Sequence, residues 1–300
     1  MRILITGSSG LVGSALIPFL KKQGHDIHCL VRHKNDVDAT HHFWDPLKGI
    51  LDENAVENFQ IVIHLSGEKI PLRRWSNTIK KKILESRIKS TGLLVDKIKL
   101  LKVPPVLFIS ASGINYYGDR GQEVLTEKST AGDGFLVDVV RKWERSSSEL
   151  KDLGIRTIYL RMGVILSERG GALRKTRLPF KLGLGAILGK GTQYLPWISI
   201  DDITAIINFI IKNESISGVV NAVAPQAITN FEYSQAIGRV LSRPVIFRIP
   251  GFILRWIFGE MADQMLLSSS RAEPKVLADH GYQFVYKQID QALASALGKK

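Results

Sequence analysis

The 300-residue sequence predicts an α/β chain: a doubly wound parallel sheet with a smaller, mainly helical C-terminal lobe. Three observations carry this. Short apolar runs alternate with helical segments through the first half of the chain, the rhythm of a parallel sheet with helical crossovers. The runs are continuously apolar, as strands buried on both faces must be. The first run also passes into the first helix through "TGSSGLVG", which places Gly7, Gly10 and Gly13 three residues apart.

The strands are read, in order, as "RILIT", "IHCLV", "IVIHL", "VLFIS" and "RTIYLR". Helical patterns cover residues 11–23, 76–101, 133–152 and 201–213. The second opens near Ser76 and carries Lys80 to Lys82 on a solvated face. Beyond residue 166 the rhythm loosens. Residues 166–198 are glycine-rich and basic, read as loop plus a short helix on the substrate side. The smaller lobe follows from 226, and its apolar helix Phe252–Phe258 is expected to pack against the main domain, with a membrane-surface element as the alternative.

A hydrophobic share of 45% supports a large core. No stretch approaches the ~18–20 unbroken apolar residues of a spanning helix. "MRILITG" runs straight into a strand without a leader pattern, which suggests the cytoplasm. The single cysteine, Cys29, excludes an internal disulfide framework and is too little for a zinc site. The formal charge of +13 is spread along the chain and comes with no nucleic-acid motif. Metal, nucleic acid and membrane are not expected partners; a small-molecule substrate is.

The glycine turn lets a dinucleotide pyrophosphate approach the backbone. Gly7 permits the tight turn, Gly10 leaves no side chain beneath the phosphates, and Gly13 allows close helix–strand packing. Ser8, Ser9, Leu11 and Val12 complete a cradle of amides at the helix N-terminus. The fold is therefore read as Rossmann-type, with residues 1–225 as the cofactor domain and 226–300 as the substrate lobe. At the end of the second strand an acidic residue would bond the ribose hydroxyl of NAD, whereas arginine takes the extra phosphate of NADP. "CLVRHK" puts Arg32 there, with His33 and Lys34 behind it and Asp36 too late in the loop. NADP(H) is favoured over NAD(H).

The spacing G-x-x-G-x-x-G resembles that of the extended short-chain dehydrogenase/reductases. The resemblance sharpens in "GEKIPLRRWSNTIKKKILESRIKST", "SASGINYYGDRGQEVLTE", "RMGVILSERGGAL", "LPWISIDDI" and "GVVNAVAPQAITNFEYSQAIGRVLSRP". Together these are similar to an atypical group, the epimerase family proteins. That group joins an NAD-dependent epimerase/dehydratase domain to a C-terminal domain of unknown function, here about 250–297. The resemblance covers essentially the whole chain. It implies cofactor contacts from Leu65, Ser66 and Gly67 after the third strand, and from Ser110 on the fourth. It implies others from Met162, Gly163 and Val164 beneath the nicotinamide. Arg87 matches a position that reaches the cofactor, with a helix-surface cation as the plain alternative. His64 is read as a packed imidazole and Asp202 as a helix N-cap.

Catalysis in that superfamily uses a Tyr-x-x-x-Lys pair on one helix face, with a serine at the preceding strand end. Here Leu136 and Val140 stand at those two positions, so the usual pair is absent. Ser112 occupies the place of the substrate-orienting serine. Tyr116 and Tyr117 follow it; either could be a displaced acid, with structural roles as the alternative. Arg73, Arg74 and Trp75 suit an anionic or nucleotide-linked substrate, and packing roles suit them equally. Two functions follow. One is an NADP-dependent oxidoreductase or sugar-nucleotide-type epimerase acting on a carbonyl, secondary alcohol or nucleotide-sugar-like substrate. The other is an NADP(H)-binding sensor or scaffold with little or no catalysis.

Overall fold

The computed structural model describes residues 1–52 and 55–299. Its strands run β1 (Arg2–Thr6), β2 (Asp26–Val31), β3 (His41–Asp45), β4 (Ile50–Leu51), β5 (Ile61–His64), β6 (Leu107–Gly113), β7 (Val124–Leu125), β8 (Arg156–Met162), β9 (Val164–Leu166), β10 (Ala186–Leu188), β11 (Trp197–Ser199), β12 (Gly218–Ala222), β13 (Phe247–Ile249) and β14 (Arg271–Ala272). The helices are α1 (Leu11–Lys22), α2 (Asn77–Lys99), α3 (Phe135–Arg145), α4 (Gly171–Lys181), α5 (Ile200–Lys212), α6 (Asn230–Leu241), α7 (Gly251–Phe258), α8 (Lys275–Asp279) and α9 (Ile289–Ala296).

Eight strands form one sheet in the order β12-β8-β6-β5-β1-β2-β3-β4, parallel throughout except for the β3–β4 edge. Alternate residues of each strand enter different cores, which explains the continuous apolar runs. Ile3, Ile5, Ile61 and Ile63 pack with Leu16 of α1 and Ile206 of α5 on one face. Leu4, Val62 and Phe108 pack with Leu94 and Ile98 of α2 on the other. The chain order reverses between β1 and β5, which opens a crevice at the carboxyl ends of those strands.

All five strands read from sequence are present. Three sheet strands were not read: β3 is "HHFWD", with two histidines, the edge strand β4 is only two residues long, and β12 is "GVVNA", short and carrying Asn221. Helix α3 stops at Arg145, short of the expected 152. Ser146 and Ser148 donate hydroxyl bonds back to the carbonyls of Trp143 and Arg145, competing with helix continuation.

The C-terminal segment is tied into the main body. β10 pairs with β13 and β14 with β7, while Tyr233, Leu277 and Leu293 join the same core as β1. Helix α7 departs from expectation. Leu254 is buried and Phe258 packs beside Trp75, but Phe252 and Trp256 are 69% and 78% exposed. The two pairs sit on opposite sides of an eight-residue helix, so only one line of apolar side chains finds the main domain. Among the described residues no helix is long and apolar enough to cross a membrane.

Candidate cofactor and substrate cleft

The crevice begins at the glycine turn. Gly7 adopts φ +72, and a Cβ there would lie 2.8 Å from the carbonyl carbon of Leu65. A Cβ on Gly13 would overlap Gly7 O and come within 2.8 Å of Ser8 Cα. One on Gly10 would meet only Gly7 O, at 3.1 Å, with open space beyond. The three glycines thus provide a turn, an open floor and a close helix–strand contact. Gly10 is the N-cap of α1 and offers no side-chain bond, so the first amides, from Leu11, Val12 and Gly13, keep their N–H groups outside the helix ladder. Ser8 is half-buried and Ser9 exposed at the lip of the turn.

Behind this turn Thr6 is a hub. Its Oγ1 accepts N–H bonds from Leu65 and Ser66, each at 3.2 Å, and shares a 2.8 Å bond with His64 Nδ1. With both lone pairs taken, the Thr6 hydroxyl donates to Nδ1. His64 Nε2 lies 3.1 Å from Thr91 Oγ1 and 3.3 Å from Ser90 Oγ, hydroxyls that themselves donate to helix carbonyls. That bookkeeping assigns a neutral imidazole protonated at Nε2. Burial agrees, lowering its pKa from 6.5 to about 3. His64 is the packed imidazole the sequence suggested, and it holds the Leu65–Gly67 turn against Gly7.

Two arginines carry the sequence expectation of cofactor contact. Arg32 follows β2, exposed and without an ion-pair partner among the described residues. Arg87 corrects the helix-surface alternative: it is 9% exposed, with its guanidinium 5.0 Å from the Trp143 ring. Its Nη1 donates to Ile83 O at 2.9 Å, and a Cβ on Gly67 would sit 3.4 Å from its Cζ. Burial lowers its pKa to about 10, with Glu68 opposing, so the cation persists at neutral pH.

Other expected contacts differ in detail. Ser110 is buried within β6, its hydroxyl bonded to Ala111 O, and does not open on the crevice. The amides of Gly163 and Val164 donate to Ala222 O and Pro196 O, at 3.1 and 2.8 Å. Only packing and carbonyl contacts remain to them, beside half-buried Met162. Asp202 is not the N-cap; Ser199 is, accepting from Asp202 N at 2.9 Å. Asp202 is fully buried and accepts from Ser199 Oγ, Tyr282 OH, Val285 N and Tyr286 N, at 2.7, 3.1, 2.7 and 3.2 Å.

The opposite wall is built from side chains. Ser112 Oγ donates to Glu144 Oε1 at 2.6 Å. Arg161 grips the same carboxylate through Nε and Nη2, both at 2.8 Å, and donates from Nη1 to Tyr117 OH at 3.0 Å. Burial opposes the charge of Arg161, but Glu144 more than offsets this and its pKa ends above the ordinary range. Tyr117 is fully buried, with Thr126 O and Asn221 Oδ1 both 2.9 Å from its hydroxyl. Burial pushes that hydroxyl above its ordinary pKa. It has no route to a substrate, so the displaced-acid reading fails for Tyr117. Tyr116 is half-buried, its ring 3.3 Å from the Arg161 guanidinium carbon. Leu136 and Val140 are buried, Leu136 against Trp75 and Met261, Val140 near Gly113.

Neither Glu144 nor Arg161 was singled out from sequence, though a signal existed. An arginine deep in the apolar run "RTIYLRM" needs a buried carboxylate, and Glu144 continues the inward line of Leu136 and Val140 on α3. Beside this wall a pocket of about 170 Å³ lies against the C-terminal lobe, lined by Asn115, Asp119, Asp133, Leu136, Asp263 and Gln264 among others. The suggested anion-binding group is dispersed. Trp75 is buried, donating to Pro71 O at 3.1 Å, and Arg74 donates to Trp256 O at 2.5 Å.

Sheet order, reversal point and glycine turn define the Rossmann-like fold of NAD(P)-binding epimerases. Residues 3–135 match the NAD-dependent epimerase/dehydratase family, and residues 249–296 match a domain of unknown function. An epimerase family protein of Mycobacterium bovis is 37% identical over 294 residues, covering 98% of this chain and 97% of that protein. A crystal structure of a human epimerase family protein with NADPH superposes with a TM-score of 0.90 at 32% identity over the whole of both chains. UDP-glucose 4-epimerase of Thermus thermophilus with NAD is alike in fold alone, with a TM-score of 0.75 at 16% identity over 99% of both chains. This chain belongs to the epimerase family proteins.

Proposed function

We propose that the protein binds NADP(H) across the crevice and is an oxidoreductase or epimerase acting on a hydroxylated or carbonyl small molecule, nucleotide-sugar-like substrates included. The observation that supports this is the open floor at Gly10 under the free amides of α1; the exposed Arg32 that follows β2 would be the partner of a ribose phosphate. Support comes from the human relative, solved with NADPH and similar over its full length. The expected compartment is the cytoplasm.

When bound, the nicotinamide supplies or accepts the hydride. The chain's own residues handle the oxygen and its proton. Ser112 is 4% exposed at the end of β6 and donates to Glu144, so its lone pairs would accept from a substrate hydroxyl that reaches it. A proton leaving that hydroxyl passes to Ser112 Oγ while the Ser112 proton moves to Glu144, whose carboxylate Arg161 holds in place. The reverse transfer protonates a carbonyl oxygen during reduction. The neighbouring pocket carries Asp119, Asp133 and Asp263, with Arg255 already bonded to Asp263 at 2.7 Å. Carboxylates there suit hydroxyl donors, so the end of the substrate entering this pocket is hydroxyl-rich rather than anionic. Leu136 and Val140, buried at the two positions where the resemblance puts a tyrosine and a lysine, favour one second reading: a cofactor-binding sensor with little turnover.

Titration with NADPH and NADH, followed by nicotinamide fluorescence, tests the cofactor assignment. NADPH should bind more tightly, and Arg32→Ala should weaken it by about tenfold while leaving NADH unchanged. Equal loss for both cofactors, or none, rejects the role of Arg32. Oxidation of NADPH over a panel of carbonyls and nucleotide sugars separates enzyme from sensor. Turnover that survives Glu144→Gln removes the proposed proton path.

A further inference from the structure

The +13 charge is less evenly distributed than it first reads. Residues 169–200 hold six Lys and Arg and no Asp or Glu, and residues 242–259 hold three arginines and again no acid. The fold brings these two stretches together. β10 and β13 pair in parallel, Ala186 opposite Phe247, and Arg243 Nε donates to Lys181 O at 2.9 Å. The joined surface also exposes large apolar side chains. Leu178, Leu182 and Leu184 come from α4 and the loop behind it. Ile246, Phe247, Phe252 and Trp256 come from β13, the residue before it and α7. Phe252 and Trp256 stand one turn apart on the outer line of α7.

An exposed apolar patch of this kind marks a docking surface. Its charge selects the occupant. Arg255 is paired with Asp263, but a second copy of the chain would still bring the remaining cations of both stretches face to face, which costs free energy. Nucleic acid would meet the cations but leave the leucines and isoleucine without a partner. An anionic lipid surface satisfies both sets: aliphatic and aromatic side chains enter the headgroup–acyl boundary while the surrounding cations meet lipid phosphates. We infer that the protein docks peripherally on anionic phospholipid bilayers through α7, β13 and the end of α4, with Trp256 and Phe252 inserted. This revises the sequence expectation of no membrane partner. It concerns a surface contact, not a span, and does not depend on the cofactor assignment.

The test uses the full-length protein and sedimentation with vesicles of phosphatidylcholine alone or mixed with phosphatidylglycerol. Binding should be about tenfold or more tighter to the anionic vesicles and should weaken as salt rises. Lipids brominated in their acyl chains should quench emission that Trp256→Phe removes. The double variant Phe252→Ala/Trp256→Ala should weaken binding by about tenfold or more, and Lys181→Glu/Arg248→Glu by a similar factor. Both should keep the parent's thermal midpoint, because the four side chains are exposed. Failure to bind anionic vesicles overturns the inference. So does equal binding to neutral vesicles, or binding that both double variants retain. Duplex DNA binding, or Trp256-dependent dimerisation, in the absence of vesicle binding assigns the surface to the other occupants and also overturns it.

Discussion

The two walls of the crevice are made differently. The β1–α1 wall is backbone: three glycines, an N-terminal turn of amides and a threonine hub, with side chains kept out of the way. The β6–α3–β8 wall is side chain: Ser112, Glu144, Arg161 and Tyr117 joined by hydrogen bonds. The first wall suits any pyrophosphate and tolerates few changes of size. The second is set by charge, and it tolerates few changes of polarity. One wall is therefore sensitive to volume, the other to the loss of a charged partner.

The sharpest way to break the second wall is to strand its carboxylate. Arg161→Leu should cost about 3–5 kcal/mol of stability, because Glu144 is then buried without its partner. Adding Glu144→Leu should recover much of that loss, as read by urea denaturation of the single and double variants. If the double variant is worse than the single, the pair is not the coupled unit described.

The first wall is probed by volume. Gly13→Ala adds a Cβ that overlaps Gly7 O and should destabilise by about 1–3 kcal/mol. NADPH affinity should fall with it, since the same turn shapes the cradle. Unchanged affinity and stability would show that helix and strand have slack the structure does not display.

His64 links pH to that wall. Its folded pKa of about 3 lies below the ordinary 6.5 of an unfolded chain, so the unfolded state takes up the proton first as pH falls. Its contribution is therefore whole above about 6.5 and declines toward pH 3, at about 1.4 kcal/mol per pH unit. His64→Gln should flatten that part of the stability–pH curve. The smallest expected effect is Tyr117→Phe, which removes a buried hydroxyl and should cost about 1 kcal/mol without altering cofactor affinity.

These contrasts also explain what the sequence could reveal. The backbone wall was legible because its parts are contiguous: a strand, three glycines and a helix within some twenty residues, with Arg32 at the next strand's end. Core strands were legible because burial on both faces leaves no polar position. The side-chain wall was obscure because Ser112, Glu144 and Arg161 lie far apart in the chain and meet only through β6–β8 pairing and the packing of α3. β3 and β12 escaped because His41, His42 and Asn221 interrupt their apolar pattern, Asn221 being turned inward to bond Tyr117. Helix α7 misled for the opposite reason. It is apolar on nearly every side, and such a pattern does not say which line of residues faces inward.

The buried Asp202 carries one more implication. Three of its four donors from other groups come from Tyr282, Val285 and Tyr286, near the end of the chain, yet it stands in the first turn of a helix packed on the central sheet. Trimming the polypeptide ahead of residue 282 to obtain a minimal dinucleotide-binding fragment would strip a charged carboxylate of most of its hydrogen bonds while leaving it inside an apolar interior. The tail is thus a clasp on the central layers.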